Sequence, residues 1–160
     1  MSGGGWSAAR HSCEGEVSES MISAELARAL EVAGLAWHPA RGDRFILTTA
    51  AFDSSEVFTV SDMVVEAHEF PTGTVLGFNG TTEWALDSAQ ASDALWLPRE
   101  DQLRELLGAA FRRLERAGGA YLVIAALPGD AGDGASMFEG PEPAEAYGTA
   151  LLAMIRRATD

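Results

Sequence analysis

The chain predicts an α+β fold: an antiparallel β meander with an N-terminal, a central and a C-terminal helix packed on one face. Three observations lead there. Residues 45–86 form a succession of short β-branched and aromatic runs separated by turn signals. Apolar residues recur at helical spacing before that region, in its wake and again at the C-terminus. Strands and helices are grouped rather than strictly alternating, which favours an antiparallel sheet with helices on one side over a parallel βαβ array.

Residues 1–20 are rich in Gly and Ser, carry Glu14, Glu16 and Glu19, and show no periodicity. They read as a disordered extension, with Met21 as an alternative start, and a single domain over 21–160. The spacing then predicts a helix over 22–35. Ser23 is its N-cap, Leu26, Ala27, Leu30 and Ala33 are its apolar face, and Gly34 is its end. His38 precedes Pro39 and is pushed towards extended geometry.

Strands are expected over 45–48, 57–60, 63–70, 74–78 and 82–86. Asn79-Gly80 is the strongest turn signal, because a type I′ turn needs positive φ at both central positions. Within 63–70, Val64, Glu66, His68 and Phe70 share one face, and Met63, Val65, Ala67 and Glu69 share the other.

The stretch LWLPREDQLRELLG, residues 95–108, is the best-specified helix. Pro98 suits the first helical position, and Glu100 and Asp101 suit the positive end of the dipole. Leu103, Leu106 and Leu107 lie on one face, and Gly108 is placed for a left-handed cap. Residues 111–117 are expected as a strand that turns at Gly118-Gly119 into a second strand over 121–127. Continuation of the helix is the alternative. Residues 128–136 read as a flexible loop. In the last helix Glu142 and Glu145 occupy the first turn, Tyr147, Ala150, Leu151, Met154 and Ile155 face inward, and Arg156 and Arg157 lie in the last turn.

With 160 residues the chain is long enough for one well-filled core. Its 24 acidic residues against 11 basic ones give a formal net charge of −13. That field repels phosphate backbones and anionic lipid, so nucleic acid and membrane are not expected partners, whereas a basic protein would be attracted. The basic clusters, Arg112–Arg113–Arg116 and Arg156–Arg157, read as solvated helix-end or strand-face charges. All 11 basic residues are arginine. Without lysine there can be no Walker A loop, Schiff-base enzyme, Ser-Lys enzyme or protein-kinase strand lysine. The lone Cys13 excludes an internal disulfide. No run of about 18 apolar residues suggests a membrane span, and no signal-peptide pattern is visible, so a cytoplasmic location is expected.

Candidate chemistry is sparse. His38 and His68, with Asp43, Asp62, Glu66 and Glu69, could assemble a metal or general-base site. Metal-ligand spacing such as HxxxH or HExxH is missing, and an exposed polar strand face is the plainer reading. Ser61, His68 and Asp62 lack the context of a nucleophile elbow. The glycines of 129–134 match neither a dinucleotide fingerprint nor a calcium loop. No catalytic residue, metal or cofactor is therefore expected. Phe78, Asn79, Trp84 and Trp96 form the candidate partner surface, against the more ordinary reading that both tryptophans fill the core.

From Met21 onward the chain resembles a group of short, poorly characterised actinobacterial proteins. The resemblance is carried by MISAELARAL at 21–30, VLGFNGTTEWALDS at 75–88, LWLPREDQLRELLG at 95–108 and AEAYG at 144–148. Members are often labelled as the pilus assembly protein CpaE. That label implies a ParA/MinD-type ATPase with a Walker loop, which a lysine-free chain cannot form, so no site is carried over. The expectation is a small, acidic, non-catalytic protein that binds another protein in an accessory, adaptor or immunity-like role. The alternatives are a metal-assisted hydrolase built on His38 and His68 and, by label alone, a pilus-assembly component.

Overall fold

The computed structural model describes residues 21–49, 56–60, 65–78, 88–132 and 134–159. The fold class is α+β, with three α-helices and small antiparallel sheets among the described residues.

Helix α1 (Ala24–Val32) starts at Ser23, whose hydroxyl accepts the Leu26 N–H at 3.2 Å. It ends short of the predicted 35: Gly34 takes φ +106°, and the Leu35 N–H folds back onto the Leu30 carbonyl at 3.0 Å. Strands β1 (Arg44–Leu47) and β2 (Val57–Thr59) follow, then β3 (Val65–Phe70), β4 (Gly73–Phe78), β5 (Ser88–Gln90) and β6 (Ala94–Trp96). The expected strand over 82–86 lies outside the described residues. β3, β4 and β5 form a meander. The other early sheet has the order β2-β1-β6, so β1 pairs with a strand far along the chain.

Helix α2 (Glu100–Leu107) begins two residues later than Pro98 would have it. Arg99 is the N-cap residue, and the Gln102 side chain accepts its N–H at 3.0 Å. Pro98 is instead fully buried below the helix start. Leu103 and Leu107 are buried, but Leu106 is exposed, which corrects the predicted three-leucine face. Gly108 has the expected positive φ, +51°, yet leads into a short 3₁₀ turn over Gly108–Ala110.

β7 (Phe111–Ala117) and β8 (Ala120–Ala125) are the predicted hairpin, turning at Gly118 (φ +59°) and Gly119 (φ +90°). β9 (Ser136–Gly140) then pairs with β8. The preceding loop is pinned rather than free. The Asp130 carboxylate accepts the Leu127 N–H at 2.9 Å and the Arg157 guanidinium at 2.7 Å. Helix α3 (Pro143–Thr159) crosses β8 and β9 and packs against α1 and α2. Glu142 stands just before its first residue, not inside its first turn.

The main core lies where the helices meet β6, β8 and Ile46 of β1, around Leu30, Leu95, Leu103, Val123, Tyr147 and Leu151. Tyr147 packs on Phe111 with ring centroids 5.4 Å apart, and burial pushes its phenol pKa up. α1 and α3 approach closely because Gly148 has no side chain to meet Leu26. Phe45 and Leu47 point to the other face of β1, where a second small core forms with Val60, Ala94, Trp37 and Phe58. β1 is therefore buried on both faces.

Candidate functional site

Asp43 is the one buried charged side chain among the described residues, at 2 % exposure. Burying a carboxylate costs several kcal/mol unless its oxygens are satisfied, and here they are. One oxygen accepts the Trp37 indole N–H and the Ala40 backbone N–H, both at 2.9 Å. The other accepts the Gln102 amide at 2.6 Å and lies 3.9 Å from the Arg99 guanidinium. Arg99 also donates to the Gly42 carbonyl at 2.6 Å and forms a two-pronged pair with Asp101, holding that carboxyl below its ordinary range. The Asp43 carboxylate thus braces the 37–43 turn against the start of α2. Its oxygens already accept three hydrogen bonds in that bracing, so ligating a metal together with His38 would have to compete with them.

The brace fixes the orientation of Trp37. Its ring packs on Phe45 at 5.5 Å and stacks on Trp96 at 6.4 Å with 9° between planes. The two indoles wall a cleft of about 310 Å³ between α1 and β6. Ala27, Leu35, Ala94 and Leu95 are part of its apolar lining, and Glu31 and Ser92 are its polar lining residues among those described. Glu31 is exposed and is the sole charged residue lining the cleft among the described residues. The Trp96 indole N–H is buried and has no hydrogen-bond partner among the described residues.

The backbone of β6 adds a second feature. Leu97 N–H donates to the Arg44 carbonyl and Thr48 N–H to the Asp93 carbonyl, each at 2.8 Å. With Ile46 opposite Leu95, alternation puts Leu95 in the bonded set and leaves Ala94 and Trp96 out of it. The Ala94 carbonyl and both backbone groups of Trp96 therefore point away from β1. None of the hydrogen bonds among the described residues reaches them. The cleft is lined by Leu95 from one face of β6 and by Ala94 and Trp96 from the other, so it runs along this open edge.

A second, shallower hollow of about 740 Å³ lies between α1 and the end of α3. Ala29, Val32, Ala33, Arg28 and Arg156 are among its lining residues, and Val32 is 82 % exposed.

Of the predicted surface residues, Trp96 is half-buried and lines the cleft. Phe78 ends β4, while Asn79 and Trp84 lie outside the described residues. His38 is exposed in the turn that Asp43 braces, and His68 stands in β3, in a different sheet from Asp43's neighbour β1. Ser61 and Asp62 lie outside the described residues. No group of three or more His, Cys, Asp or Glu with metal-holding geometry occurs among the described residues. Sequence reasoning missed Trp37, Glu31 and the open edge of β6. The Trp37-His38-Pro39 run signalled a turn, but nothing local tied it to residues 94–96.

No family model, no curated protein and no solved structure matches the chain at a significant level. Among the described residues no helix is long and apolar enough to cross a membrane.

Proposed function

We propose that this chain is an acidic, non-catalytic cytoplasmic protein that acts by binding another protein, in an accessory, adaptor or immunity-like role. The observation that carries the reading is the tryptophan-walled cleft between α1 and β6. Aromatic rings supply large contact area at low entropic cost, and clefts of this size are ordinary binding sites. The rings are held in place before any partner arrives, because Asp43 anchors Trp37. The net charge of −13 would steer basic partners and repel nucleic acid.

The test is affinity capture with the full chain from native cell extract at low and moderate salt, beside Glu31→Arg and Trp96→Ala variants. A single near-stoichiometric protein, weakened by salt and lost with both variants, is the expected result. Absence of any partner at either salt would overturn the reading.

A further inference from the structure

Resting on that reading, we infer that the cleft takes an extended peptide segment carrying an arginine or lysine, which adds to the edge of β6 left unpaired among the described residues. Three features of different kinds converge on this ligand. The first is backbone chemistry. The outward N–H and C=O of Trp96, with the outward C=O of Ala94, present a donor between two acceptors at strand spacing. A neighbouring strand offers the complement of that pattern, and strand addition to a sheet edge is a recurrent mode of peptide recognition.

The second is shape. A cleft of about 310 Å³ running along a three-residue strand admits a short extended stretch, not a helix about 10 Å across. The third is charge. Among the described residues Glu31 is the one ionisable group lining the cleft, and it stands there with the indoles of Trp37 and Trp96, a ring type that attracts cations. A peptide cation is thus met by a carboxylate and by aromatic faces, while an acidic side chain meets repulsion.

The probe is the blocked pentapeptide acetyl-TVRVT-amide, titrated into the isotope-labelled full chain and followed residue by residue by NMR. Three comparison peptides accompany it: one with Glu in place of Arg, one with Lys, and one N-methylated at alternate amides so that it cannot pair as a strand. The expected result is saturable shifts at Ala94, Trp96 and Glu31, with slowed exchange of the Trp96 amide. The Lys peptide should bind similarly, and the N-methylated peptide about tenfold more weakly, from the loss of one to two backbone hydrogen bonds. Glu31→Arg should reverse the preference between Arg and Glu peptides, and Val32→Glu in the other hollow should change nothing.

Equal binding of the N-methylated peptide, shifts confined to the α1–α3 hollow, or no saturable binding of any peptide would each overturn the inference. The two readings fail separately. A protein partner captured equally by wild type, Glu31→Arg and Trp96→Ala would end strand addition at β6 while leaving protein binding in place.

Discussion

Asp43 and Gln102 are joined by a 2.6 Å hydrogen bond across 59 residues of sequence. It ties the turn that carries Trp37 to the first turn of α2, and Gln102 is also the residue that satisfies the Arg99 N–H. One amide side chain therefore serves both as a helix cap and as a partner of the buried carboxylate.

Removing that carboxylate should be costly. Asp43→Ala strands the Trp37 indole, the Ala40 N–H and the Gln102 amide without their acceptor. We expect a loss of about 3 kcal/mol in urea unfolding, on the usual cost of hydrogen bonds to a buried charge. A loss below about 1 kcal/mol would show that the brace is not a stabilising element.

The two stacked tryptophans should respond differently to the same change. Trp37→Phe removes a donor to a buried carboxylate and should cost about 2 kcal/mol. Trp96→Phe deletes an indole N–H with no partner among the described residues and should be nearly neutral, within about 0.5 kcal/mol. Equal losses in the two variants would mean that the Trp96 N–H has a partner in solution.

Two glycines on the α3 side offer a steric contrast. A Cβ at Gly140 would lie 2.5 Å from the Ala146 nitrogen and 2.9 Å from the Glu145 carbonyl carbon, both backbone atoms that cannot step aside. Gly140→Ala should destabilise by about 2 kcal/mol or more. At Gly148 the nearest atom is the tip of Leu26, 2.7 Å away, which can rotate, and alanine also favours the helix. Gly148→Ala should therefore cost less than Gly140→Ala in thermal melts, and the reverse order would refute this account.

Acid should weaken the loop before β9. The Leu127 N–H and the Arg157 guanidinium hold the Asp130 carboxyl below its ordinary value. A depressed carboxyl pKa stabilises the fold above the unfolded-chain value, and that contribution fades as pH falls through the folded-state value. Asp130→Asn should be less stable than wild type at neutral pH, with the gap shrinking below about pH 4, the unfolded aspartate range. A gap that stays constant down to pH 2 would disprove the linkage.

Much of the local structure was legible in the residues themselves. Ser23 as a cap, the left-handed glycines of the 118–119 turn and the amphipathic run from Tyr147 to Ile155 each act within a few residues. Their free energies are set before distant parts of the chain meet. The start of α2 was misread because Arg99 is not a usual cap. It becomes one through Gln102, itself engaged by Asp43.

What tertiary structure alone decided is the candidate site. β6 is three residues long and has no strand signature of its own. It exists because Ala94 is buried with Phe45, Leu47 and Val60 on one face of the sheet and Leu95 is buried among the helices on the other. Glu31, Trp37 and Trp96 come from three separate stretches, and Asp43 reads in sequence as one more acidic turn residue. Composition determined that this protein is acidic and free of lysine, and so without the lysine a Walker A loop needs, because charge and functional groups are counted without folding. Which backbone edge stays open, and which rings stand beside it, follows from long-range packing, since hydrogen-bond parity between β1 and β6 is set only when the two strands pair.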